Sequence, residues 1–169
     1  MTPQPRNYRS SRQCSSSNGF SLIELLIVVA VILIIAAIAI PNFVRSKMAA
    51  NEASAVQNLR NITTAEYLYS STYGINFSAN LVSLSGSTAI ADSGHAELID
   101  QVLGSGQKSG YSFGYSAGPL DTQGHVTTYA LNAAPVTPGS TGQRYFYTDQ
   151  TGVIRWNGTT AAGATDASI

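Results

Sequence analysis

Hydrophobic positions crowd the front of the chain and thin out behind it. Sixteen consecutive apolar residues run from Leu25 to Ile40, and no charge occurs between Leu25 and Val44. A helix of that length rises about 1.5 Å per residue and spans roughly the 30 Å hydrocarbon core of a bilayer. The pattern predicts a membrane-spanning helix. A secretory signal is the competing reading, but its apolar core is about 7–15 residues and ends on a small-residue cleavage site. Ala36-Ala37-Ile38-Ala39 offers small residues, yet the run continues past the usual length.

Pro41-Asn42 interrupts the run. Proline has no N–H and disfavours the helical conformation of the residue before it, so Ile40 could end the helix. The preferred reading is a kink within one longer helix, which membrane proteins tolerate. From Phe43 to Tyr73 the pattern turns amphipathic. Met48, Ala55, Leu59, Ile62, Tyr69 and Tyr73 fall near one helical face, while Asn51, Gln57, Arg60 and Thr64 occupy others. Residues 20–72 as one helix would be about 80 Å long. Gly74 reads as the residue that closes it.

Behind Gly74 the periodicity changes. A Ser-, Ala- and Asn-rich stretch to Ser93 predicts a structured loop, in which Leu81, Val82 and Leu84 could pack. Asp92 or Ser93 begins a predicted short helix over about 92–103, carrying Leu98, Ile99, Val102 and Leu103 before Gly104. Beyond Gly110 the alternation is that of strands: Tyr111 to Ala117, Val126 to Ala133, Arg144 to Thr148 and Val153 to Trp156. Asp149-Gln150-Thr151-Gly152 is a hairpin connection between the last two. About four strands in one antiparallel sheet, packed on the long helix, make an α+β fold. The Gly-, Ala- and Thr-rich tail from Asn157 to Ile169 is expected to be loose.

Charge sharpens this outline. The 169 residues hold nine basic and nine acidic side chains, and only 11% are charged. That low fraction already sets the chain apart from ordinary soluble domains. The zero total hides a division: residues 1–19 carry three arginines and no acid, so the remainder is −3. Basic flanks favour the cytoplasmic side, which predicts a cytoplasmic N-terminus and a head outside the cytoplasm. A net negative head gives no support to nucleic-acid binding. Cys14 is the single cysteine, so no intramolecular disulfide is available.

One acid interrupts the apolar front. Glu24 stands at the head of the helix, where a charge is costly unless it is partnered. Ser21-Leu22-Ile23-Glu24 fits a capping box, in which Glu24 reaches back to the Ser21 amide. The carboxylate also favours the positive end of the helix dipole. Taken with their surroundings, residues Gly19-Phe20-Ser21-Leu22-Ile23-Glu24-Leu25-Leu26, after a short basic leader and before an apolar helix, closely resemble the prepilin signal of type IV pilins and type II secretion pseudopilins. The resemblance covers residues 14–73 well and the rest in outline.

That resemblance implies a pilin-like α+β fold and a set of roles. A membrane prepilin peptidase would cut between Gly19 and Phe20, and the same enzyme would methylate Phe20. Glu24 would neutralise the new N-terminus of a neighbouring subunit, and Pro41 matches a proline where the family's helix can loosen on assembly. The implied segments are a cleaved leader, 1–19; a transmembrane and assembly half-helix, 20–44; an amphipathic half-helix, 45–73; and a globular head, 74–169. Implied partners are further copies in a helical filament, the peptidase and methyltransferase, a pilus assembly platform, and membrane lipid before assembly. The implied location is the inner membrane as a single-pass precursor, then a surface filament serving adhesion, motility or a related function. A periplasmic pseudopilus of type II secretion is the alternative. Tyr73-Gly74-Ile75 stands where the major pseudopilin usually carries Tyr-Pro, which favours the pilin. A membrane-tethered binding or enzymatic domain is a third reading, and it predicts an untrimmed monomer.

Catalytic chemistry finds little purchase. His95 and His125 are thirty residues apart and sit in no metal or nucleophile motif. Asp121 and Asp149 lie in turns, and Asp149 with Asp166 lacks the dense oxygen-ligand spacing of a calcium loop. No cofactor and no metal are expected. Tyr111, Tyr115 and Tyr129 are expected to face the core, and Tyr145 and Tyr147 to share the face opposite Phe146.

Overall fold

The computed structural model describes residues 19–86 and 90–169. The leader positions Arg6, Arg9, Arg12 and Cys14 lie outside the described residues. The chain divides into two compact units, residues 1–40 and 41–169. One helix, α1 (Leu22–Tyr73), contributes to both and continues through Pro41, so Ile40 does not end it. Gly74 closes it with φ +65°, its N–H donating to the Ser70 carbonyl at 3.1 Å.

In the first unit the described helix is apolar and almost wholly unburied. Only Ala36 is half-covered, and the large side chains from Leu22 to Ile40 are all exposed.

The second unit has a core. Two one-turn helices, α2 (Leu81–Leu84) and α3 (Gln101–Gly104), precede a six-stranded antiparallel sheet. Its strands are β1 (Gln107–Lys108), β2 (Tyr111–Ala117), β3 (Tyr129–Pro135), β4 (Tyr145–Asp149), β5 (Arg155–Asn157) and β6 (Ala167–Ser168), in simple meander order. Ala55, Leu59, Ile62 and Tyr69 of α1 join Leu81, Leu84, Leu103, Tyr111, Leu131 and Phe146 in one buried cluster. Each fully buried Leu, Ile or Phe contributes about 1.5–3 kcal/mol, so this seam fixes the sheet on the helix. Strand alternation places every second residue inward: Phe146 and Thr148 are buried, Tyr145 and Tyr147 half-covered. Tyr111 and Tyr129 are buried and Tyr115 half-buried, with Tyr115 and Tyr129 stacked at 5.8 Å.

Four details depart from the sequence expectation. First, no helix spans 92–103: only Gln101–Gly104 is helical, capped by the Asp100 side chain on the Leu103 N–H at 3.0 Å. The preceding residues find partners elsewhere. Asp92 holds the Gly94 and His95 amides in a tight turn, Glu97 takes φ +54°, and Ala96, Leu98 and Ile99 donate to Ser83 and Leu84 carbonyls. Tertiary hydrogen bonds replace the helical ones. Second, Leu81–Leu84, expected in a loop, is a helical turn capped by Asn80. Third, the sheet has six strands rather than about four, because two-residue strands carry no readable alternation. The second predicted strand also starts late: Val126 bridges Phe77 and Leu120 instead, and β3 begins at Tyr129. Fourth, the tail is tied down. The Asp166 carbonyl accepts from Arg155 at 2.9 Å, its carboxylate accepts from the Gly163 N–H at 2.8 Å, and β6 pairs with β5.

Candidate processing and assembly site

The chain enters α1 through Gly19, Phe20 and Ser21. Gly19 has nothing among the described residues within 4 Å of where a Cβ would stand, and Phe20 is 82% exposed, so the described residues leave the peptide between them open. Ser21 is the residue before the helix, and its carbonyl takes the first helical bonds, from Glu24 N–H at 3.1 Å and Leu25 N–H at 3.2 Å. The Glu24 carboxylate reaches back to accept the Ser21 N–H at 2.9 Å. This is the returning arm of a capping box, and it fixes the carboxylate at the positive end of the helix. The predicted pair Ser21 and Glu24 is therefore brought together. Pro41 lies far along the same helix and is exposed.

Chemically this end of the molecule offers an accessible Gly–Phe peptide, an acceptor oriented by the helix start, and an apolar rod without cover. The helix is long and apolar enough to cross a membrane.

Residues 14–40 match the family described as the prokaryotic N-terminal methylation motif. The N-terminus is of the prepilin type. The type IV major pilin protein PilA of Myxococcus xanthus (strain DK1622) is 48% identical to this chain over 58 residues, 34% of this chain and 26% of that protein. The similarity thus spans about a quarter of the relative's length. No solved structure matches the chain significantly. The prepilin-type start and the α+β plan, a long helix feeding an antiparallel sheet, agree with one another.

Two acids on α1 escaped the sequence reading, and both prove central to how this prepilin-type helix carries its head. Glu52 is 7% exposed and Glu66 fully buried. Glu52 accepts the Gln143 N–H at 2.9 Å, the Arg144 N–H at 3.2 Å and the Arg144 Nε–H at 2.7 Å. Burial by itself would raise the Glu52 carboxyl, but the Gln143 amide and the Arg144 guanidinium outweigh it and hold the group below its ordinary value. Glu66 accepts from Ser78 twice, N–H at 2.9 Å and hydroxyl at 2.6 Å, and forms no ion pair among the described residues. Burial therefore dominates there and pushes the Glu66 carboxyl up against its hydrogen bonds. Tyr115 donates to the Ser78 carbonyl at 2.8 Å and completes the cluster; burial raises its phenol as well. A signal for both acids existed. The predicted stripe 48–55–59–62–69–73 contains two steps of seven, and Glu52 and Glu66 fill them at helical spacing.

The remaining candidates stand apart from one another. His95 lies 3.8 Å from Asp92 and His125 3.5 Å from Asp121, each in its own turn. Asp149 caps the turn to β5 through the Thr151 N–H, while Asp166 anchors the tail. Among the described residues, no three His, Cys, Asp or Glu side chains converge as metal ligands.

Proposed function

We propose that this chain is the structural subunit of a type IV pilus-like filament. The observation that carries the reading is the juxtaposition at its front: an open Gly19–Phe20 peptide, a cap-held Glu24 carboxylate and an uncovered apolar helix in immediate succession. In this reading the precursor inserts with its basic end in the cytoplasm. A prepilin peptidase cuts after Gly19 and methylates Phe20. The trimmed chain then leaves the bilayer by exchanging lipid contacts along Phe20–Ile40 for contacts with other copies.

Glu24 supplies the selectivity of that exchange. Once Gly19 is removed, the amine of Phe20 becomes a cation at the head of every helix. At an effective dielectric near 20, opposite charges about 4 Å apart attract by about 4 kcal/mol. An unpaired Glu24 inside the bundle would forfeit that and remain desolvated, so only one axial offset between helices is favourable. Ala30, Ala36, Ala37 and Ala39 allow close helix approach. The loosening point is Pro41, whose neighbourhood can release helical bonds as subunits pack. The head lies outside the cytoplasm and forms the fibre surface, which is where adhesion or motility functions would act.

Intact-mass measurement of protein from cells tests the processing. Loss of residues 1–19 plus one methyl group is expected; a mass for the whole of Met1–Ile169 refutes it. Glu24→Ala tests assembly, with membrane insertion retained and filaments lost on electron microscopy. Filaments at normal yield from that variant would remove Glu24 from the mechanism.

A further inference from the structure

Two cations stand where the apolar half of α1 ends. Residues 25–44 carry no charge, and Arg45 and Lys47 follow at once. Both are exposed, and neither forms an ion pair among the described residues. Their own helix offers them no partner, because no acid lies within four residues of either. The next acid along the chain is Glu52, which is 7% exposed and already accepts from Gln143 and Arg144.

Depth and spread decide what meets these charges. A helix rising about 1.5 Å per residue crosses the roughly 30 Å hydrocarbon core in about twenty residues, the length of the uncharged run. Roughly 5–7 Å of headgroups lie beyond each face of that core. Arg45 and Lys47 then enter about 1.5 and 4.5 Å past its edge, at the level of the lipid phosphates. Arg60 is exposed and likewise forms no ion pair among the described residues. It would stand about 24 Å past the edge, in water. Two residues apart, positions 45 and 47 diverge by about 200° around the helix axis. A protein partner on one side of the helix reaches one of them, whereas a headgroup layer surrounds the helix and reaches both. Their long stems let the charged heads settle at the phosphates while the methylenes stay on apolar surface.

We propose that Arg45 and Lys47 bind the phosphates of anionic phospholipids in the headgroup layer on the head's side of the bilayer, and so set the depth of the helix before assembly. The proposal rests on the reading of the precursor as a membrane-inserted filament subunit. It gives the two ends of the apolar run different fates. Arg6, Arg9 and Arg12 serve the opposite headgroup layer, and the proposed cut removes them with residues 1–19. Arg45 and Lys47 remain. The trimmed helix therefore keeps its far anchor while its near end, with the Phe20 amine and Glu24, is released to find a neighbour. The attraction falls off within a Debye length, so it acts on the cations at the surface and spares Arg60.

Boundary-lipid electron spin resonance tests this on the full-length chain in vesicles of phosphatidylcholine with about one-third phosphatidylglycerol. Spin-labelled forms of the two lipids report which one the protein holds. Wild type should prefer phosphatidylglycerol. Arg45→Gln with Lys47→Gln should lower that preference by about twofold or more, since each cation near an anionic surface biases the lipid several-fold and the leader arginines, kept in every variant, dilute the change. Arg60→Gln should leave the preference as in wild type. Circular dichroism melting, expected to match wild type throughout, keeps loss of fold apart from loss of lipid. An unchanged preference in the double variant, or an equal loss in Arg60→Gln, would overturn the headgroup contact and leave the filament reading standing. Failure of the wild-type chain to insert into the vesicles would overturn both.

Discussion

Truncating Glu66 to alanine tests how the head is fastened to its helix. The carboxylate is fully buried and is the acceptor for both the Ser78 N–H, at 2.9 Å, and the Ser78 hydroxyl, at 2.6 Å. After truncation the hydroxyl keeps the Asn80 carbonyl at 3.1 Å. The backbone N–H of Ser78, itself fully buried, has no replacement. An orphaned buried donor costs about 1–3 kcal/mol, and the void left by the side chain adds to it. Removing a buried acid that forms no ion pair among the described residues returns part of this. The net expectation is a loss of about 2–3 kcal/mol. For a unit of this size that lowers Tm by about 10 °C. Glu66→Gln is the informative companion, because it keeps one acceptor oxygen and cannot ionise. In the wild type, burial raises the carboxyl above its ordinary 4.5, so the folded state holds the proton more tightly than the unfolded state. The contribution of Glu66 is full below 4.5 and is lost as pH rises through the raised value. Thermal unfolding of the full chain in detergent micelles, followed by circular dichroism from pH 4 to 8, measures this. The stability of Glu66→Gln relative to wild type should increase with pH. Parallel pH profiles for the two proteins, or an alanine variant within about 0.5 kcal/mol of wild type, would refute the reasoning.

Glu52 should behave with the opposite sign. Its carboxyl lies below the ordinary 4.5, so its contribution is present above that value and lost as pH falls through the lowered one. Glu52→Ala leaves two backbone donors without an acceptor, for about 2–4 kcal/mol in urea unfolding. Arg144→Ala should cost less than about 1 kcal/mol, since that side chain is 46% exposed and its half of the pair is screened. Gly118→Ala should lower stability by about 1–3 kcal/mol, because a Cβ there would meet the Thr128 carbonyl at 2.7 Å and its side-chain oxygen closer still. Gly114→Ala, with nothing within 4 Å, should be neutral or slightly stabilising by the same melting assay.

The legibility of this chain follows the range of the forces involved. The helix is readable because its signals are local: an unbroken apolar run, a capping box written in four residues, and a glycine where φ must turn positive. Pro41 is ambiguous locally and yet lies inside the helix. The Gly19–Phe20 pair and Glu24 belong to the same short-range pattern. Strand β2 is readable for its strict alternation against a Gly-Pro stop.

What sequence by itself determined, then, is a long helix with an apolar, capped front and a β-rich head behind it. Tertiary structure alone decided the fate of residues whose partners are remote. Asp92 to Ile99 carries the composition of a helix, but hydrogen bonds to Ser83 and Leu84 and a positive φ at Glu97 prevent one. The tail reads as loose, yet Asp166 finds Arg155 and Gly163. Glu52 and Glu66 drew no prediction from the sequence and turn inward, because Gln143, Arg144 and Ser78 bring donors to them across as many as 92 residues. Periodicity reports which side of a helix a residue occupies. Whether a buried acid is tolerable depends on donors that only the folded chain assembles.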